Sequence, residues 1–112
     1  MVSAEPLPPL SFYILLALHD GPAHGWGIIK RIRDITEGQS DPSTGSLYLA
    51  MIRLEGAGLI AEGKRPAGES EDARRRYYKL TPAGRTAAQA EATRLERLVT
   101  QARHRHVIPN TP

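Results

Sequence analysis

The chain has 112 residues, 40% of them hydrophobic, enough to bury one modest core but not two, so a single domain is expected. Its formal net charge is +3, but residues 1–60 hold four Lys/Arg against six Asp/Glu while residues 61–112 hold eleven against six; the positive charge is local and suits a polyanion. There is no cysteine, which excludes disulfides, thiolate zinc sites and cysteine nucleophiles.

At the N-terminus, Met1 to Pro6 has neither a basic n-region nor an apolar h-region, and no apolar run approaches the roughly 18 residues of a membrane span. A soluble, cytoplasmic protein with no membrane partner is expected, with residues 1–8 proline-rich and loose. From Pro9, the series Leu10, Tyr13, Ile14, Ala17 and Leu18 marks one face of an amphipathic helix, and Phe12, Leu15 and Leu16 form a second apolar stripe. A helix apolar on nearly every side needs two burial partners, and a domain this small supplies one. Phe12, Leu15 and Leu16 are therefore assigned to a subunit interface.

Asp20-Gly21-Pro22 ends that helix. A second helix is predicted over about 24–37, with Ile28, Ile29, Ile32 and Ile35 inward, Lys30, Arg31, Arg33, Asp34 and Glu37 in solvent, and Gly38 closing it. Residues 39–42 make a short polar connection. Ser43 or Thr44 can cap a third helix with Leu47, Ala50, Met51 and Leu54 inward, ended by Gly56 and Gly58. Two helices joined by a short turn, each with an inward face, read as a helix-turn-helix.

Leu59 to Glu62 and Arg76 to Leu80 are β-favouring runs flanking a long, charged tip at 63–75, which predicts a hairpin. The basic run Arg74-Arg75-Arg76 and the paired Tyr77-Tyr78 lead into Thr81-Pro82-Ala83-Gly84, where Thr81 is the N-cap and Pro82 the first position of a last helix over about 82–106. A basic strand ending where a long helix begins is the back half of a winged helix. Ala88, Ala92, Leu95, Val99, Ala102 and His106 recur at steps of four and three, the spacing of a coiled-coil seam. Leu95, Leu98, Val99 and Ala102 are thus a second set of candidate dimer contacts. The expected class is mainly α with a small β-hairpin: residues 9–81 a winged helix-turn-helix that binds DNA, 82–106 a dimerisation helix, and 107–112 a flexible tail.

These blocks together resemble the PadR family of bacterial transcriptional regulators, in its short form with a single C-terminal helix. The resemblance runs from about Leu10 to Arg85. It is carried by Ile14 to Leu18, Gly21 to Ile29, Ser43 to Tyr48, Arg53-Leu54-Glu55 with Gly58-Leu59-Ile60, and Tyr77-Tyr78 with Leu80-Thr81 and Gly84; each block is weak alone, while their order and spacing are specific. Trp26, Gly27 and Leu49 stand where tyrosine, an acidic residue and proline are usual. The acidic tip, Glu69-Ser70-Glu71-Asp72, argues against the tip itself touching phosphate.

In such a fold the N-terminal part of the third helix points at base edges. Ser43, Thr44 and Ser46 can cap that helix or bond to phosphate and bases. Leu49 and Arg53 lie opposite the inward set; Arg53 can read guanine or hold a phosphate, or else pair with Glu55 or solvent. Tyr48 either reaches a phosphate or packs at the core margin. Lys64, Arg65, Arg74, Arg75 and Arg76 would flank the minor groove and backbone, with strand alternation sending Arg74 and Arg76 to one face and Arg75 to the other. The competing reading is a solvated charge run.

Trp26, the only tryptophan, is a candidate effector contact, although a lone tryptophan in a small domain more often packs in a core or interface. His19, His24, His104 and His106 lack a convergent carboxylate and read as surface or interface residues, so no metal is expected. Gly25-Trp26-Gly27 lacks the strand-turn-helix setting and third glycine of a phosphate loop, no catalytic triad assembles, and neither cofactor nor enzymatic activity is expected. The resemblance implies a homodimeric repressor on a palindromic operator in double-stranded DNA, released by a small-molecule effector or stress signal. The alternative is a winged-helix protein–protein interaction module without an operator.

Overall fold

The computed structural model describes residues 5–68 and 75–109. The elements run α1 (Pro9–His19), β1 (Ala23–His24), α2 (Gly25–Ile35), α3 (Thr44–Gly56), β2 (Ile60–Gly63), β3 (Tyr77–Leu80) and α4 (Pro82–His104). The three strands form one antiparallel sheet in the order β1-β3-β2, with Ala23 opposite Tyr78 and Ile60 opposite Leu80. The protein is mainly helical with a small winged hairpin, as the periodicities predict. The third strand is an addition: two residues after a turn are too short to show a period of two, and only the edge of β3 makes them a strand.

Helix α1 lies at the centre, against α2, α3, α4 and β3. Ile14, Leu15, Ala17 and Leu18 are all buried, so the domain covers more of this helix than its size suggests. Leu15, assigned above to a subunit interface, has no exposed surface and belongs to its own core; Phe12 and Leu16 stay half-buried. Leu7, within the segment expected to be loose, also packs on the core, and its N–H donates to Glu91 Oε1 at 3.3 Å.

In α2, Ile28, Ile29 and Ile32 point inward, but Ile35 at the last turn is exposed, because the chain turns away there toward α3. Arg31 does not face solvent as expected. Its guanidinium donates to the carbonyl oxygens of Ala17 (2.9 Å) and Gly21 (2.7 Å), with Pro22 at 3.4 Å, and so satisfies acceptors left open where α1 ends. Arg33 Nε donates to Asp41 Oδ1 at 2.7 Å and ties α2 to the connection before α3.

Helix α2 closes with Glu37 N–H bonded to Asp34 O and Gly38 N–H to Arg33 O, the six-residue helix-ending arrangement in which the residue after the cap is left-handed. That residue is Glu37, with φ of 53°, one place before the glycine singled out for the role. A side chain costs about 1 kcal/mol there. Glu37→Gly is therefore expected to raise unfolding stability by about that amount in urea titration. At the end of α3, Gly58 (φ 76°) fills the equivalent position.

Helix α4 is anchored by Thr81-Pro82-Ala83-Gly84. Thr81 Oγ1 accepts from Gly84 N–H at 3.0 Å and donates to Gly58 O at 2.6 Å, while Thr81 N–H reaches Leu59 O at 3.2 Å. The cap therefore also docks the helix onto the turn between α3 and β2. Gly84, Ala88 and Glu91 are buried, which makes the first half of α4 part of the winged-helix core. Glu91 receives two bonds from Arg94, at 2.9 and 2.6 Å. The Arg94 hydrogen bond holds its carboxyl below the usual carboxylate range; burial opposes this and the Leu7 N–H reinforces it. The stabilisation from this ionised group is present above the ordinary carboxylate pKa and is lost as pH falls through the lowered folded value. Beyond Glu91, Leu95, Leu98 and Val99 are exposed and Ala102 is half-buried. Among the described residues no helix is long and apolar enough to cross a membrane.

Candidate nucleic-acid interface

Helix α3 divides into two faces as its sequence predicts. Leu47, Ala50, Met51 and Leu54 are buried, and Thr44, Gly45, Ser46, Tyr48, Leu49, Ile52 and Arg53 are exposed. Of the two capping candidates, Ser43 is the cap: its Oγ accepts from Ser46 N–H at 3.1 Å and donates to Ser46 Oγ at 3.0 Å. Ser46 can still donate its own hydroxyl proton outward. Thr44 begins the helix with an exposed side chain, beside first-turn N–H groups that carry partial positive charge.

Tyr48 is 45% exposed, with its hydroxyl lying over buried Gly25; a Cβ on that glycine would stand 3.1 Å from the Tyr48 oxygen. Arg53 and Glu55 are both exposed, and among the described residues no ion pair joins them. Two residues apart on a helix, they point to different sides. Ile52, 65% exposed, belongs to this face too, although only Leu49 and Arg53 were expected opposite the inward set. Its place three residues after Leu49, outside the inward set, was the available signal.

The hairpin stands beside this face. Lys64 and Arg65 follow the end of β2, and Arg75 and Arg76 precede the start of β3, so four exposed cations surround the neck of the hairpin. Arg74 and the acidic Glu69 to Asp72 lie outside the described residues. A cleft of about 540 Å³ joins the two elements: Tyr48, Ile52 and Glu55 of α3 line one wall, Arg75, Arg76 and Tyr78 the other, and His24, Gly25 and Trp26 its end. Arg75 and Arg76 both border it, contrary to the expected alternation, because they precede the paired strand and its pleat does not govern them.

At the start of α2, His24 Nδ1 accepts from Gly27 N–H at 3.2 Å, which caps the helix and leaves the neutral ring's proton on Nε2. Arg75 Nη1 lies 3.3 Å from that Nε2. Tyr77 stands edge-on to His24, with ring centroids 5.3 Å apart.

Trp26 is 51% exposed, not a core residue. Its ring lies 5.9 Å from Lys30 Nζ and 5.2 Å from the Arg33 guanidinium carbon, which makes it a cation-bordered aromatic on the outer side of α2. Among the described residues no group of three or more His, Asp or Glu side chains is placed to hold a metal ion.

A family model described as the transcriptional regulator PadR-like family matches residues 14–90. An uncharacterized 37.1 kDa protein in transposon TN4556 of Streptomyces fradiae is 41% identical over 85 residues, which is 76% of this chain; the chain spans 22% of that protein's length. Among solved structures, a transcriptional regulator from Clostridium thermocellum superposes with a TM-score of 0.71 at 29% identity, covering 88% of this chain and 90% of that one. A PadR family transcription regulator from Clostridium difficile shares the fold with a TM-score of 0.71 at 23% identity, covering 87% and 97%.

Proposed function

The chain belongs to the PadR-like family of transcriptional regulators, which are not enzymes, and from that premise we propose that it is a homodimeric repressor that binds a palindromic operator and is released by a small-molecule or stress signal. The observation that carries this reading is the shared cleft, in which Tyr48, Ile52 and Glu55 on one flank of α3 meet Arg75 and Arg76 of the hairpin neck. DNA-binding helix-turn-helix proteins need that arrangement, with one helix in the major groove and flanking groups on the backbone.

In this reading residues 9–81 carry the DNA-facing surface. Ser43, Thr44, Ser46 and Tyr48 hold phosphates near the start of α3, Leu49 and Arg53 face base edges, and Lys64, Arg65, Arg75 and Arg76 grip the flanking backbone. Within 82–106, the outer half of α4 pairs with a second copy through Leu95, Leu98, Val99 and Ala102, supplemented by Phe12 and Leu16. Two copies related by a twofold axis place their α3 helices about 34 Å apart, one turn of duplex. Occupancy of the operator excludes polymerase. An effector acts by favouring a dimer with a different helix separation, and the exposed Trp26 offers a flat aromatic wall for it.

A mobility shift on the chain's own promoter fragment, with excess nonspecific competitor, tests the operator. A competitor-resistant complex is the expected result, and its absence would leave only an interaction module. The wing is tested by salt. The logarithm of affinity should fall linearly with the logarithm of salt concentration, and Arg75→Ala and Arg76→Ala should each flatten the slope by about 0.9. Unchanged slopes in both variants would remove the wing from the interface.

A further inference from the structure

We infer that this chain recognises its operator largely through thymine methyl groups, contacted in the major groove by Leu49 and Ile52. The inference rests on the DNA-binding reading above and adds the chemistry of its specificity. Leu49 and Ile52 are 61% and 65% exposed, and three residues apart on a helix they form one continuous apolar surface. They occupy the middle of the outward face of α3, between the hydroxyls of Thr44 and Ser46 on the N-terminal side and Arg53 on the C-terminal side.

This face is poor in the side chains that usually read bases. Residues 43–56 contain no asparagine, glutamine or lysine, so the paired contact to adenine is unavailable, and Arg53 is the one residue there able to make the two-bond contact to guanine. Glu55, which can accept from cytosine, lines the cleft opposite Arg75 and Arg76, at the flank of the face. What α3 presents at its centre is hydrocarbon, and the hydrocarbon of a DNA major groove is the thymine C5-methyl.

Charge selects this occupant over an apolar protein surface. The Leu49 and Ile52 patch is flanked by Arg53, by Arg75 and Arg76 across the cleft, and by the N-terminus of α3, with Glu55 the one carboxylate among the described residues lining that cleft, which places an apolar centre within a mainly positive rim. A polyanion carrying methyl groups in an accessible groove matches both parts. RNA matches the positive rim but not the apolar centre, since uracil has no C5-methyl and the A-form major groove is too narrow for the helix.

The test starts from duplexes enriched by the full-length protein from a random-sequence library. Each thymine of an enriched site is replaced singly by deoxyuracil, and affinities are measured for the wild type and for Leu49→Ala and Ile52→Ala. At one or more positions in each half-site, removing the methyl is expected to weaken wild-type binding about 4-fold. One of the two alanine variants should be insensitive to the same replacement. Both side chains are exposed, so thermal melting should show both variants folded. Enriched sites at which no uracil replacement alters wild-type affinity would overturn the inference while leaving the operator reading intact. Equal loss in wild type and both variants would assign the effect to duplex deformability and overturn it as well. Failure to enrich any sequence would overturn the operator reading and this inference together.

Discussion

Gly84→Ala is expected to destabilise the protein by about 3 kcal/mol or more, enough to leave much of it unfolded or insoluble at 37 °C. A Cβ at this position would overlap the carbonyl oxygen of Leu59, and would stand 2.7 Å from Leu80 Cδ1 and 3.0 Å from the Leu59 carbonyl carbon. Backbone atoms cannot move aside as a flexible side chain can, and this stretch of backbone is already committed. Leu59 O accepts from Thr81 N–H, and Leu59 N–H donates to Leu54 O where α3 ends. Relief of the overlap would lift α4 off the sheet and break the Thr81 cap with it. Gly45→Ala is the matched control, because a Cβ there meets nothing within 4 Å. In the first turn of α3 it should be neutral or stabilising by up to about 1 kcal/mol. Urea titration of the two variants checks the pair, and equal stability would mean that the approach of α4 to Leu59 is not as close as described.

Leu98→Glu is expected to convert a dimer into a monomer and to weaken operator binding by at least about 100-fold, the loss that follows when two linked half-site contacts become independent. The argument comes from the length of α4. Its buried residues end at Glu91, yet the helix continues to His104. A stretch of about a dozen residues without tertiary support is marginal as a helix in water. This one also exposes Leu95, Leu98 (54%) and Val99 on one side. Packing those residues at coiled-coil spacing against a second copy would both stabilise the extension and remove the apolar stripe from water. A charge at Leu98 enters the edge of that stripe, beside the Leu95 and Val99 seam, whereas Thr93→Glu places the same charge on the other side and should leave assembly unchanged. Sedimentation at micromolar concentration checks both. A wild-type monomer, or a dimeric Leu98→Glu protein with unaltered affinity, would count against the α4 interface.

Much of this molecule can be read from its residues in order. The caps Ser43 and Thr81, Pro82 at the first helical position and Gly58 after α3 depend on backbone chemistry local to each helix end, and local chemistry is carried by neighbouring residues. The inward set of α3 is legible for a related reason, since 3.6 residues per turn fix the relative angle of each side chain about the axis. Periodicity does not say what lies across from a given angle. Leu15 and Leu98 both sit on apolar stripes, but only the position of the other elements sends Leu15 into the core and leaves Leu98 in water. The same limit hid the outward Ile52, the two-residue β1 that exists only as the partner of β3, and Arg31, whose charge suggested solvent until the end of α1 supplied three carbonyls within its reach. Sequence alone determined the four helices, the hairpin and the family. Which atoms approach across elements, from Gly84 against Leu59 to α3 against the hairpin neck, was decided by tertiary packing, because contacts between distant residues depend on the placement of whole elements and not on any one segment's pattern.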